Sequence, residues 1–244
     1  MATRAKAAAG SDTSNTEAGG DRKNLLGDAL RRRIIGMEMP PGATVDEVAL
    51  SEEFGLSRPP VRELMRQMAA EGYLELEPNR PARVSAMSYQ SLRSFFQAAP
   101  LLYIATAQLA AHNALPFEID ELKAIQARFR AALAAGDIDG RVLHNDAFHQ
   151  QIGLMAHNDY LLPSLRRLLI DHARLAKIFY RQPSSNDMQA DLDAAVRQHD
   201  DIIAAIEGRD AARAGELVRE HMELSRRRMT EFVVPPGVEV PLMP

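Results

Sequence analysis

The sequence predicts a mainly α-helical protein with one small strand pair in its first third, on three observations. From Ser88 to Glu231 the apolar residues recur only at helical spacing. β-Branched residues are few in that stretch and Ala, Leu, Gln and Arg are many, which favours helix throughout. Only Tyr73-Leu74-Glu75-Leu76 and the later Arg83-Val84 read as strands. With 46% hydrophobic and 25% charged residues, the 244-residue chain has enough apolar mass for one large domain or two small ones.

Residues 1–20, rich in Ala, Gly, Ser and Thr, are expected to form a disordered leader. A helix then starts near Asp21, with Leu25, Leu26, Ala29, Leu30 and Ile34 on one face. It ends in Arg31-Arg32-Arg33, suited either to DNA phosphates or to the negative end of the helix dipole. Met39-Pro40-Pro41-Gly42 breaks the pattern, and a short helix follows as far as Phe54. Gly55 makes a tight turn, Ser57 is placed to cap the next helix, and Pro59 and Pro60 fall in its first turn, where a missing N–H costs nothing.

Val61, Leu64, Met65 and Met68 give that helix one buried face, and Gly72 ends it. Arg58, Arg62 and Arg66 step by four along a neighbouring face, roughly 100° round. Alone, such a ladder is as readily a solvated face as a binding one. The order of helix, Gly turn, Ser cap, Arg ladder and strand pair favours a winged helix-turn-helix that offers its second helix to a major groove.

This assigns residues 21–86 to a winged helix-turn-helix DNA-binding domain. Helices are expected over 89–113, 117–135, 138–156, 158–182, 187–207 and 210–231, with breaks at Leu115-Pro116, Ala135-Gly136, His157-Asn158, Pro183-Ser184-Ser185 and Gly208-Arg209-Asp210. Short loops between antiparallel helices make residues 87–232 a six- to seven-helix all-α bundle. Residues 233–244, with Pro235, Pro236, Pro241 and Pro244, read as an extended tail.

Composition excludes several classes. Without cysteine there are no disulfides or thiolate metal sites, and a reducing cytoplasm is the default compartment. No stretch approaches 18 consecutive apolar residues, and no apolar run follows Arg4 and Lys6, so neither a membrane span nor a secretory signal is expected. The net charge of −4 means that DNA affinity must come from locally placed arginines.

Leu50-Ser51-Glu52-Glu53-Phe54-Gly55-Leu56-Ser57-Arg58-Pro59-Pro60-Val61-Arg62-Glu63-Leu64 resembles the winged-helix signature of GntR-type bacterial transcription regulators. The resemblance implies that Ser57, Arg58, Pro60 and Arg62 lie at the groove, with the two arginines on phosphate and guanine edges. Arg66 extends that ladder, and Arg80 lies on the wing. Pro81 stands where the family usually carries Gly at the wing.

Seven histidines lie at 112, 144, 149, 157, 172, 199 and 221. Asn145 and His149 share one helical face. His199 and His221 flank the Gly208 turn about eleven residues out and eleven back, which brings them to similar height. Spacing alone leaves open a metal site or histidines that are merely exposed or singly hydrogen-bonded.

Asn145-Asp146-Ala147-Phe148-His149, the run from Gln198 to Ala211, and Glu220-His221 resemble the helical (FCD-type) effector domain of the FadR-type branch. The resemblance implies a divalent metal, Zn or Ni, on Asn145, His149, His199 and His221, with Asn145 where members more often have Asp. Asp146 points about 100° away. The first bundle helix of this branch usually carries an Arg and a Glu, and those places fall here on Ala99 and Tyr103, beside a Pro100 that suggests a kink.

The expectation is therefore a homodimeric repressor of a palindromic operator, controlled by a small-molecule effector, such as a carboxylate, at or near the metal. Two rivals stand beside it. One is a metal-dependent hydrolase with Asp146 or Asp200 as base, against which no His-Glu-x-x-His signature or nucleophile elbow is present. The other is a ligand-free DNA-binding scaffold.

Overall fold

The computed structural model describes residues 12–181 and 186–233. The chain divides into two compact units, one comprising residues up to Ile34 and Met39–Ser85, the other Ile35–Glu38 and residues from Ala86 onward.

The first unit contains α1 (Asp12–Ile35), α2 (Glu47–Glu53), α3 (Arg58–Glu71), β1 (Leu74–Glu75) and β2 (Arg83–Val84). α1 starts nine residues before the Asp21 expected from the apolar pattern. Residues 12–20 carry no apolar repeat, so a search for apolar periodicity passes over them. The leader expectation for residues 1–11 lies outside the described residues. Leu26, Leu30 and Ile34 are fully buried, whereas Leu25 is 59% exposed, because a stripe stepping by four leaves it about 100° off the core.

Those three residues pack with Leu50, Val61, Leu64, Met65, Met68, Leu74 and Val84 in one core. α2 is capped by Asp46, whose side chain accepts from Val48 N and Ala49 N. Gly55 at φ 60° makes the turn into α3. Ser57 occupies the cap position of α3, yet its side chain makes no cap bond. Gly72, left-handed at φ 92°, ends the helix with Gly72 N on Ala69 O and Tyr73 N on Met68 O, a Schellman closure.

The first strand is two residues shorter than expected and the second is as expected, with Leu74 opposite Val84 and Glu75 opposite Arg83. The other edge of β2 is taken by the chain at 42–45. Gly42 N bonds Val84 O, Val84 N bonds Ala43 O and Val45 N bonds Ala82 O. Proline and glycine hide that pairing from a sequence reading.

The second unit holds α4 (Tyr89–Asn113), α5 (Pro116–Ala134), α6 (Ile138–Met155), α7 (Leu161–Tyr180), α8 (Asn186–Glu207) and α9 (Ala211–Val233). α4 is the central helix, packed on α6, α7, α8 and α9, while α5 lies against α6 and α8. It runs through Pro100 as one α-helix. α7 begins three residues later than expected because the Asn158 side chain takes the N–H groups of Tyr160 and Leu161, holding them in a turn. At the α8–α9 turn Arg209 reaches back to α4, donating to the carbonyls of Ala111, His112 and Ala114. The expected extended tail at 234–244 lies outside the described residues, and Val233 is still helical. No helix among the described residues is long and apolar enough to cross a membrane.

Candidate functional site

On the first unit, Val61, Leu64, Met65 and Met68 face the core, which turns Arg58, Arg62 and Arg66 out to solvent. Ser57 and Arg80 are also exposed, and Pro60 is half-buried. Among the described residues Arg58 and Arg66 make no hydrogen bond or ion pair, Arg80 pairs with Glu77, and Arg62 Nε donates to Glu47 Oε2 at 2.8 Å. A groove of about 430 Å³ between α3 and the wing is lined by Arg62, Arg66 and Arg80 together with Asp46 and Glu47. Two of the three arginines closing α1 have other work. Arg31 is bound to Glu71 and lies over the Tyr73 ring, and Arg33 pairs with Glu53.

In the second unit, α6, α8 and α9 bring His149, His199 and His221 together, each at most 2% exposed. One nitrogen of each lies within 4.8 Å of the other two, and no Asp or Glu joins them in a metal-sized group among the described residues. Asp146 is half-buried outside the group, its carboxyl pushed up to about 7 by burial. Asn145 is buried beside His172 and His221 on a cavity of about 40 Å³, room for one or two waters, which Tyr180, Asp191 and Ser225 also line.

The hydrogen bonds fix the tautomer of His199. Gln126 Nε2 donates to Val196 O at 3.0 Å and Asp200 Oδ1 at 3.2 Å. A carbonyl and a carboxylate only accept, so the amide can turn only its oxygen toward His199 Nδ1, 3.0 Å away. His199 Nδ1 therefore carries the hydrogen and Nε2 the lone pair. His221 Nδ1 lies 3.0 Å from Gln198 Oε1, and with that oxygen as acceptor the hydrogen of His221 is also on Nδ1.

With Nδ1 carrying the hydrogen on both rings, two imidazole lone pairs meet at a 3.3 Å separation of His199 Nε2 and His221 Nε2. Beside them His149 Nε2 is buried with no hydrogen-bond partner. Either a proton or a cation relieves such an arrangement. Burial, and then the neighbouring imidazoles, hold His149 and His199 well below the usual histidine range, and burial lowers His221 to about 4. Protonation is the costly choice, and three neutral imidazoles with one buried nitrogen lacking a partner fit a divalent ion. Phe148 stacks on His199 at 3.8 Å and fixes its ring plane.

Tyr103 and His172 complete the surroundings. Tyr103, fully enclosed in α4, sets its hydroxyl 2.7 Å from His172 Nδ1 and its ring edge-on to His149 at 5.0 Å. Ala99 is buried on the same helix and offers only a methyl group. Sequence reasoning missed His172, Gln126 and Gln198. The signal for His172 was a helix face apolar on both sides of it; no sequence signal marks the two glutamines.

Residues 23–84 match the gntR family of bacterial regulatory proteins, and residues 95–224 match the FCD domain. The HTH-type transcriptional repressor GlaR of Escherichia coli is 30% identical over 200 residues, covering 79% of this chain and 89% of that protein. The HTH-type transcriptional repressor RspR of the same species is 25% identical over 194 residues, 80% of this chain and 82% of that one. In fold the chain is similar to E. coli McbR/YncC, with a TM-score of 0.74 at 18% identity over 86% of this chain and 97% of that one. With its winged helix-turn-helix and its all-helical FCD domain, the chain belongs to the GntR family of bacterial transcription regulators, which are DNA-binding proteins and not enzymes.

Proposed function

We propose that this regulator is a cytoplasmic repressor that binds a palindromic operator as a homodimer and responds to a small-molecule effector bound at or beside a divalent metal. The observation that carries the effector site is the convergence of three neutral, buried imidazoles on one point, one nitrogen of them without a partner. His149, His199 and His221 would hold the ion, and the side-chain carbonyl of Asn145 would be the fourth donor. Three nitrogens and a neutral oxygen suit Zn or Ni better than ions that seek carboxylates. When bound, the ion supplies Lewis acidity toward an oxygen of the effector, such as a carboxylate.

The chain's own residues do the rest. Gln126 and Gln198 orient two of the imidazoles, and the Tyr103 hydroxyl orients His172 beside the small cavity. Because that cavity takes only a small functional group, a larger effector requires α7, α8 or α9 to yield. An arrangement that admits the effector and one that does not then differ in effector affinity, and this difference is what shifts operator occupancy. The relatives named as repressors support the sign of the response.

On the DNA side, the exposed ladder of Arg58, Arg62 and Arg66, with Ser57 and Pro60 at the helix start and Arg80 on the wing, supports insertion of α3 into the major groove.

The test is elemental analysis of protein purified without chelator or nickel resin, beside His199→Ala, together with a gel-shift titration of Arg58→Ala. About one ion per chain in the parent and little in His199→Ala is expected, with specific DNA binding lost in Arg58→Ala while the fold persists. Absence of metal after zinc addition would leave a ligand-free DNA-binding scaffold. Unchanged operator affinity in Arg58→Ala would remove that residue from the interface.

A further inference from the structure

Arg62 is the one arginine of the α3 ladder that is held, and the way it is held has a consequence for DNA reading. Glu47, the first residue of α2, accepts from Arg62 Nε at 2.8 Å. Glu47 is itself a fixed point. Its backbone belongs to a helix start closed by Asp46, and its side chain is 24% exposed against 54% for Arg62.

A guanidinium has two usable edges, one containing Nε and one formed by the two terminal nitrogens. Glu47 occupies the first. Nη1 and Nη2 make no hydrogen bond or ion pair among the described residues. Arg62 therefore has its plane fixed from behind and an open two-pronged edge, which is the half needed for the N7 and O6 of guanine. Arg58 and Arg66, with no such partner, keep their rotamer freedom and suit phosphate, which accepts many approach directions.

The charges agree. Glu47 lines the groove between α3 and the wing together with Arg62, so a phosphate brought to that guanidinium meets the carboxylate already bound to it. Arg62 is thus poorly placed to serve as a backbone contact.

We propose that Glu47 is a positioning residue for sequence readout, holding Arg62 for a bidentate contact to a guanine while disfavouring its use on phosphate. The inference rests on the DNA-contacting role proposed above for Arg62. A lysine in place of Arg62 could not substitute, because a single ammonium has no second edge for Glu47 to hold.

The experiment uses the full chain and two duplexes, the tightest binder it selects from a random library and a scrambled duplex of equal length. Glu47→Gln removes the charge at constant size. Its affinity for the scrambled duplex is expected to hold or rise, and its affinity for the selected duplex to fall, so that the ratio drops about tenfold. Single-base substitution of the selected duplex should show the preference lost at one G·C pair per half-site, the pair whose preference Arg62→Ala also loses.

A purely electrostatic Glu47 would change both affinities by the same factor and leave the ratio intact. That result, or loss of preference at a base pair unrelated to Arg62, overturns the proposal while Arg62→Ala still loses specificity. If Arg62→Ala itself keeps the parental ratio and base pattern, the assignment of Arg62 fails first and this inference falls with it.

Discussion

His199 and His221 present their Nε2 atoms to one another at 3.3 Å from two helices joined by the Gly208–Asp210 turn, with each Nδ1 anchored on a glutamine oxygen. With the hydrogen of each ring on Nδ1, neither Nε2 has one to give the other, and a shared cation satisfies both. Metal removal should therefore destabilise the second unit. Chelator treatment is expected to lower the melting temperature by several degrees, as loss of a ligand that binds only the native state requires, and added zinc should restore it. Scanning fluorimetry measures this directly. Equal melting curves with chelator and with zinc would show that the histidines satisfy one another without an ion.

That geometry depends on Gln126, a residue far from it in sequence. It comes from α5, 73 residues before His199, and its own amide is held by Val196 O and Asp200 Oδ1. Gln126→Leu keeps the volume but removes the acceptor that places the hydrogen on Nδ1. Metal affinity, read by competition with a chromophoric chelator, is expected to fall about 10–100-fold, the range for outer partners of ligating histidines. Circular dichroism should stay native. Unaltered affinity would mean that the Phe148 stack alone holds the ring.

The pH response carries a sign. Burial first, then neighbouring imidazoles, lower the proton affinity of His149 and His199, and burial lowers His221 to about 4. A ligand that is already neutral loses no proton when it binds a metal, so protons compete only near and below its own lowered range. Metal affinity is expected to stay flat from about pH 8 down to about pH 6, where an exposed three-histidine site would already be weakening below its usual midpoint of about 6.5. Isothermal titration at pH 7.5 and 6.0 distinguishes the two. A tenfold or greater loss at the lower pH would mean that water reaches the imidazoles.

The elements and the histidines were legible in the sequence for a common reason. Helices reveal themselves through apolar repeats, and His199 and His221 lie at matched distances from a Gly turn, so helix geometry alone brings them level. His149 shares a face with Asn145, but that it joins the other two was implied by the resemblance to the FCD-type effector domain and not by spacing. What could not be read are contacts between residues with no periodic relation. Gln126 is a polar residue on a buried face of α5, and nothing near it in sequence names His199 as its partner. His172 lies between Leu168, Leu169 and Leu175, Ala176 on α7, a setting that marks it as buried but does not name Tyr103 as its partner. The pairing of β2 with residues 42–45 uses backbone groups in a Pro/Gly segment that side-chain patterns do not report.

Arg209 is a further contact of that unreadable kind, and its role is testable. Its backbone is left-handed at φ 59°, a conformation that asparagine or glycine takes more readily. Arginine is nevertheless here because its guanidinium reaches the carbonyls of Ala111, His112 and Ala114, which end α4 without helical partners. The α8–α9 turn is tied in this way to the end of the central helix, and the turn sets the relative height of His199 and His221. Arg209→Ala should cost about 1–3 kcal/mol of stability in denaturant titration, since it strips charge-assisted bonds from partly buried carbonyls. Arg209→Gly separates the two effects, relieving the backbone while losing the same bonds, and should be less destabilising than Ala by a few tenths to about 1 kcal/mol. If the carbonyl clamp also keeps the histidines in register, metal affinity falls in both variants together. A drop in stability with unchanged metal affinity would mean that packing of α8 on α9 sets the register by itself.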